Sequence, residues 1–388
     1  MKIGILTLHS QLNYGGVLQA YALQKVLRNN VVNAEIIDYW SSRDNADLYG
    51  GLLCSKLLPT TRLYRFFKNI LKNGFAFADL VRRKRTVSFL KNKISLSQVS
   101  YKDARELRGV SGYDCYIVGS DQIWNPNWHG IPNPFLLSFL DCQQKKISYA
   151  ASFGVNEVPL ERQQEYSSAL REFASIGVRE KAGVEIVKEL TGRDSDWVLD
   201  PTLLLSREDW SELCGPESGS SPYIFCYWLG DVSTVIKLLV DLSKKKSMKI
   251  KLYGNPDILM SSYGKIFSLF VRIFFSFHPR VKCCFDAGPV EFLRGLRDCA
   301  GVVSDSFHAL IFSVIFSKPA KIFVNSSVHR KGTSSRLLDF ARYFGLEKVV
   351  EVDIPDGGIV LEDPDYEQVA HKIEDSQKTS LTFLFDSL

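Results

Sequence analysis

The sequence predicts an α/β protein made of two nucleotide-type halves with a ligand cleft between them, and three observations carry that prediction. Short apolar runs alternate with polar turns and amphipathic helical stretches along most of the chain, the pattern of parallel strands crossed by helices. Residues 215–222, rich in Gly, Ser and Pro, split the alternation into two sets. The third is the stretch from Ala300 to Val314, in which Gly301-Val302-Val303 reads as a buried strand and Ser304-Asp305-Ser306 supplies helix-capping chemistry ahead of an apolar helix. Such a strand, turn and helix directs the free N–H groups of the first helical turn at the carboxyl edge of the sheet, where an anion is stabilised. His308 falls in that first turn, and an imidazole beside an anion site suits acid or base work. The plain alternative is a capped core helix with a satisfied histidine.

In chain order, Ile3 to Leu8 is a buried strand, and residues 9–16 form a loop into a helix from Val17 to Asn29 with Leu18, Ala22, Leu23, Val26 and Leu27 on one face. Gly15-Gly16 permits close backbone approach, but without G-x-G-x-x-G spacing or a Walker lysine it is a weak phosphate motif. Ala34 to Tyr39 is the next strand. Residues 56–93 are dense in Lys and Arg interleaved with Leu, Phe, Tyr and Ile, with Asp79 as the one acid. They read either as a basic amphipathic helix on an anionic membrane surface or as a helical insertion whose apolar side packs on the protein. No recognised nucleic-acid motif accompanies the charge.

Strands then follow at Tyr113 to Gly119, Lys146 to Gly154, Ser175 to Val178 and Trp197 to Leu199, with helices over 160–174 and 181–191. Each strand ends in polar residues, Ser120-Asp121, Arg179-Glu180 and Asp200 among them, which argues for one shared cleft. The domain boundaries read as 1–214 for the first half, with an insertion over about 50–100, then the linker 215–222, and 223–388 for the second half. That second half is expected to hold strands at Tyr223 to Trp228, Lys249 to Tyr253, Val302-Val303 and Ala320 to Val324, helices over 232–244 and 308–316, a helix from Arg336 to Phe344, and a closing helix over 364–377. The aromatic stretch 265–278 either covers the sheet or enters a lipid interface.

Composition bounds the function classes. A hydrophobic fraction of 45% and a net charge of +5 fit an ordinary soluble protein with a mild preference for anionic partners. Eight cysteines without a C-x-x-C pair argue for buried thiols of a reducing compartment and against a disulfide or zinc framework. The sequence begins directly on a strand with no signal-peptide pattern, and no apolar run approaches the ~20 residues that span a bilayer. A cytoplasmic protein is expected, with a peripheral place on the inner face of the cell membrane left open.

Taken together, Asn13-Tyr14-Gly15, Val118 to Asn125, Ser152-Phe153-Gly154, Val178-Arg179-Glu180, Asp200-Pro201-Thr202, Ser304 to His308 and Ser335-Arg336 carry a likeness. The chain resembles the polysaccharide pyruvyl transferase family over nearly its full length. The resemblance implies two Rossmann-like domains in a GT-B-like arrangement with the active site in the interdomain cleft. It also implies an activity: transfer of the pyruvyl group of phosphoenolpyruvate to two hydroxyls of a saccharide, free or lipid-linked, as a cyclic ketal. Phosphoenolpyruvate is then a donor substrate, and no cofactor, metal or nucleic acid is implied.

The resemblance assigns His308 as acid or base and Asp121 as a ligand of the acceptor hydroxyls. It puts Ser304, Asp305, Ser306, Arg179, Lys331 and Arg336 at the donor, and Asn13, Tyr14, Gly15, Gly16, Ser120 and Trp124 at the acceptor or its loop. Arg179 could instead simply pair with Asp200, and Lys331 could be a solvated loop lysine. Two departures from the family pattern stand out: Ser306-Phe307 precede the histidine where relatives often carry Arg and Leu, and Gly16 stands where some carry an acid. Two rival readings share these residues. One is a GT-B glycosyltransferase using a nucleotide sugar; the other is a non-enzymatic membrane-surface protein of glycan assembly.

Overall fold

The computed structural model describes residues 1–10, 12–30, 33–40, 62–217, 219, 221–254, 278–324, 333–355 and 357–388, without the side chains of 62–76, 233 and 333–335. Cys54 and Lys331, residues 56–61 of the basic stretch and nearly all of 265–278 lie outside them.

The first half runs β1 (Lys2–Leu6), α1 (Tyr14–Asn29), β2 (Asn33–Tyr39), α2 (Arg62–Lys93), β3 (Leu96–Tyr101), β4 (Cys115–Val118), β5 (Lys145–Ala151), α3 (Leu160–Arg171), β6 (Ser175–Val178), α4 (Lys181–Thr191), β7 (Asp196–Trp197) and α5 (Arg207–Cys214). The second runs β8 (Tyr223–Tyr227), α6 (Ser233–Lys246), β9 (Lys249–Tyr253), β10 (Val281–Cys283), α7 (Pro289–Arg297), β11 (Gly301–Ser304), α8 (Phe307–Ile315), β12 (Ala320–Val324), α9 (Thr333–Phe344), β13 (Val350–Val352) and α10 (Tyr366–Asp386).

Two parallel sheets result, ordered β3-β2-β1-β4-β5-β6-β7 and β10-β9-β8-β11-β12-β13. Each begins at a central strand, winds outward to one side and returns to the other, so each has a switch point, β1/β4 and β8/β11, where open α/β sheets bind ligands. The central strands are apolar and buried on both faces, as parallel sheets covered by helices must be. The α/β two-domain architecture is therefore the expected one. Elements that sequence periodicity did not resolve, β3, β10 and β13, are edge strands whose residues are partly exposed and so lack a clean apolar run.

One apolar cluster runs through both halves, from Ile5, Leu18 and Leu23 through Trp210 to Phe292, Leu310 and Phe312. Tyr14 anchors it: its ring stacks on Phe292 at 4.3 Å between centroids, and its hydroxyl donates to the Ala287 carbonyl at 2.8 Å. Trp210 meets Phe312 edge-on at 5.0 Å. The closing helix α10 leaves the second sheet and packs on the first, where Ser380 Oγ accepts from Leu199 N at 3.0 Å and Gln377 donates to the Leu203 carbonyl.

The basic stretch is helical from Arg62; among its described side chains one face packs on the protein, while Phe77, Leu80, Lys84, Lys91 and Lys93 are exposed. Phe89 and Leu90 are buried, Arg82 is 1% exposed, and Asp79 accepts from both Arg82 and Arg83 at 2.6 Å. Arg85 reaches across to the second half and pairs with Asp286 at 2.8 Å and with Glu291 at 3.5 Å. This segment is a strap between the halves. No described helix is long and apolar enough to cross a membrane. All described cysteines are free, and most are buried.

Candidate active site

The site is assembled where the carboxyl ends of β4, β5, β6 and β7 meet the first turn of α8. Beyond β4, Ser120 and Asp121 are buried, Asp121 in the left-handed region at φ +70°. An Asp tolerates that conformation better than most residues, because its short side chain satisfies the local backbone: here Oδ1 accepts from Gln122 N at 2.9 Å. After β6, Arg179 donates to Asp200 Oδ2 at 2.7 Å and approaches Ser120 Oγ at 3.4 Å and Asp121 Oδ1 at 3.5 Å. Asp200 is buried; its Oδ2 also accepts from Ser120 Oγ at 2.9 Å, while Oδ1 accepts from Thr202 N and Oγ1. Glu180 Oε1 collects Ser152 Oγ, Phe153 N and Gly154 N at 3.0, 2.8 and 3.3 Å. These bonds tie the ends of four adjacent strands into one polar edge.

The second half brings His308, Phe307 and Arg336 onto that edge. His308 Nε2 stands 3.6 Å from Asp200 Oδ2, a separation for an ion pair with an imidazolium rather than for a hydrogen bond. The opposite side of the ring lies on Gly15, where an added Cβ would fall 2.0 Å from His308 Nδ1, so only glycine seats this imidazole. The Phe307 ring carries two guanidiniums, with the Arg179 Cζ at 4.7 Å and the Arg336 Cζ at 5.9 Å from its centroid. Among the described residues no carboxylate pairs with Arg336.

The electrostatics divide these groups. Burial by itself would raise Asp200, but His308 and Arg179 outweigh it and hold the carboxyl well below the ordinary range. Burial likewise opposes the charge of Arg179, yet Asp200, Asp121 and Glu180 hold its pKa above the usual value. Arg336 goes the other way: burial, with the like charge of Arg179 added, brings it down to about 10. It stays a cation at neutral pH, in surroundings that favour an added anion. Five of the eleven buried side-chain atoms without a hydrogen-bond partner among the described residues belong here: Asp121 Oδ2, Arg179 Nε, Glu180 Oε2, His308 Nε2 and Arg336 Nε. Native proteins leave few such atoms, so their convergence marks a binding surface.

Of the residues singled out in the sequence, the structure brings His308, Asp121, Ser120, Arg179, Arg336, Gly15 and Gly16 together. Arg179 is largely engaged by Asp200, the plain pairing that the sequence left open. Ser306 is buried at the N-cap of α8, and Ser304 Oγ binds the Tyr227 carbonyl and accepts from Ser306 N. Asp305 turns away: its two oxygens accept from Leu229 N at 2.6 Å and Gly230 N at 2.8 Å, fixing the loop after β8. Asn13 caps α1 by accepting from Gly15 N. Tyr14 belongs to the contact between the halves. Trp124 is fully buried in the first-half core, donating to the Phe135 carbonyl at 3.0 Å. Glu180 and Phe307 stand inside motifs that carry the family likeness, at a strand end and just before His308, but the resemblance assigns no role to either. Among the described residues no three His, Cys, Asp or Glu side chains group as metal ligands do.

A family model described as polysaccharide pyruvyl transferase matches residues 13–327 of the chain, well over half of it. No curated protein sequence matches the chain. Several solved structures are similar to the chain at low identity. The UDP-GlcNAc 2-epimerase of Methanocaldococcus jannaschii in complex with UDP-GlcNAc and UDP is 10% identical over 97% of this chain and 93% of that one, with a TM-score of 0.49. The UDP-GlcNAc 2-epimerase of Neisseria meningitidis bound to UDP-GlcNAc is 11% identical over 100% of both chains, TM-score 0.47. The E. coli ADP-heptose LPS heptosyltransferase II is 11% identical over 98% and 100%, TM-score 0.36.

Proposed function

This chain belongs to the polysaccharide pyruvyl transferase family, and on that premise we propose that it transfers the pyruvyl group of phosphoenolpyruvate to two hydroxyls of one saccharide, closing a cyclic ketal. The observation that carries the donor assignment is Arg336. A buried guanidinium with no carboxylate partner among the described residues, beside a second guanidinium on the same aromatic ring, suits a donor with both a phosphate and a carboxylate. The first-turn N–H groups of α8 add to the attraction.

His308 is the acid. It gives a proton to the methylene carbon of the donor, and the neighbouring carbon becomes open to attack by the first sugar hydroxyl. Asp200 holds the imidazole from one side and Gly15 supports it from the other, so its position is set by both halves. The second hydroxyl attacks the same carbon, the bond to the phosphate oxygen breaks, and phosphate leaves. Of the two hydroxyl protons, one replaces the proton placed on the new methyl group and the other leaves with phosphate or solvent. Asp121 orients the attacking hydroxyls.

A lipid-linked acceptor at the inner face of a membrane fits a polysaccharide precursor, but Arg82, Arg83 and Arg85 lend it little support, since they are engaged with Asp79, Asp286 and Glu291. The test is to incubate the protein with phosphoenolpyruvate and a panel of saccharide precursors, measuring phosphate release and the mass of the sugar. Phosphate release matched by addition of one pyruvyl ketal is expected. Nucleotide release from a sugar-nucleotide donor, with no phosphate from phosphoenolpyruvate, would replace this reading with glycosyl transfer.

A further inference from the structure

We propose that Glu180 is an acceptor-binding carboxylate alongside Asp121: Glu180 Oε2 accepts a hydrogen bond from one of the two acceptor hydroxyls, and Asp121 Oδ2 from the other. The assignment rests on the reading above, in which one sugar presents two hydroxyls.

Each carboxylate has one oxygen held by the scaffold and one without a partner among the described residues. Asp121 Oδ1 takes Gln122 N and Arg179, and Glu180 Oε1 takes three donors from residues 152–154. Asp121 Oδ2 and Glu180 Oε2 are left over, both on residues more than nine-tenths buried. A buried carboxylate oxygen without a donor costs about 1–3 kcal/mol or more, so a protein that keeps two of them at one strand edge has a use for them.

Ser152 ties the two residues to one strand edge: its N–H donates to the Asp121 carbonyl at 3.0 Å, and its hydroxyl donates to Glu180 Oε1 at 3.0 Å. The bare Gly16 faces Asp121 Oδ2, where an added Cβ would come to 3.4 Å. Arg179 closes the far side through Asp200 and Asp121, and Arg336 feels the charge of both carboxylates without pairing with either. With Arg336 committed to the donor and Arg179 to Asp200 and Asp121 Oδ1, a neutral hydroxyl is the donor group that each leftover oxygen can take up. Two such oxygens match a diol.

Glu180→Gln makes a clean test. Its carbonyl oxygen can keep the three scaffold bonds, while an NH2 group replaces Oε2 and offers a donor where the hydroxyl also offers one. Asp121→Asn does the same for Oδ2, and Asn tolerates the left-handed backbone. Each variant should raise the acceptor KM about tenfold or more, the loss expected for a hydrogen bond to a charged group, with the KM for phosphoenolpyruvate within about twofold of the parent. Thermal unfolding of the variants should match the parent, as it would not if the scaffold bonds were lost. A rise in the donor KM instead would mean that Glu180 acts through Arg336, and an unchanged acceptor KM would mean that Oε2 meets no hydroxyl; either overturns the proposal.

A second arm separates this inference from the reading beneath it. Methyl glycosides of mannose, galactose and glucose, with deoxy analogues lacking one hydroxyl of the pair, are titrated without donor by ligand-observed NMR. If the parent releases no phosphate from phosphoenolpyruvate, the reading fails, but binding by the parent that is lost in Glu180→Gln and in the deoxy sugars still supports the diol site. Equal binding by parent and variant, or no binding by the parent, overturns it.

Discussion

Two groups of arginines in this molecule look alike in composition and act differently. On α2, Arg82, Arg83 and Arg85 lie in a run of basic residues, and each is paired: two share Asp79 inside the protein, and the third crosses to Asp286 and Glu291. In the cleft, Arg336 has no basic neighbour in the sequence. It is buried against Phe307 and Arg179, with no carboxylate pairing among the described residues. Charge density along the chain is therefore a poor guide to which cations the folded protein leaves without a carboxylate partner among the described residues. What matters is whether the folded protein has already neutralised the charge, and α2 is neutralised where it joins the halves while the cleft keeps one guanidinium open.

The comparison is sharpest at the catalytic end. Replacing His308 with Gln should lower turnover by about 10² to 10⁴, the usual worth of a positioned acid, with the far-ultraviolet dichroism unchanged. Near-parental turnover would remove the cleft's claim to the chemistry.

Next comes the open cation itself. Arg336→Lys keeps the charge but loses the paired N–H geometry, and kcat/KM for phosphoenolpyruvate should fall roughly ten- to a hundredfold. A base whose folded pKa is depressed lowers stability at every pH below that value, so at neutral pH Arg336 destabilises the unliganded protein. Arg336→Met should accordingly raise the unliganded Tm, by an amount corresponding to about 1 kcal/mol, and abolish any stabilisation by added phosphate or phosphoenolpyruvate. A lower Tm would place Arg336 among the structural arginines.

On the α2 side the same logic runs in reverse. Asp79→Asn leaves Arg82 buried without its counter-ion, and urea unfolding should show a loss of about 2 kcal/mol while activity per folded molecule is kept. An equal loss of kcat with intact stability would show that this cluster serves the site. Smallest is Arg85→Gln at the half-exposed end of the strap, with an expected cost below about 1 kcal/mol and no change in binding to anionic vesicles. Vesicle binding that falls with this charge would move the helix back to the membrane reading.

Much of this protein follows from local pattern. The parallel sheets, the polar strand ends and the place of His308 on the first turn of α8 are written in short stretches, because strand periodicity, caps and turn residues act over a few positions. Asp121 and Arg179 were legible for the same reason, each standing where a strand empties into polar residues. Pairing across the chain was not. Tyr14 and Trp124 sit in motifs that look like a site, yet one joins the two halves through Phe292 and the other fills the core. Asp305 precedes the active helix but binds the loop after β8, 75 and 76 residues away in sequence. Glu180 and Phe307 join the site only through Ser152 and two distant guanidiniums. The sequence by itself determined the two-sheet architecture and the chemistry available at each strand end. Only the tertiary structure decided which charges are already matched and which are left to meet a substrate, because ionic and hydrogen-bonding partners are chosen by distance in space and by burial.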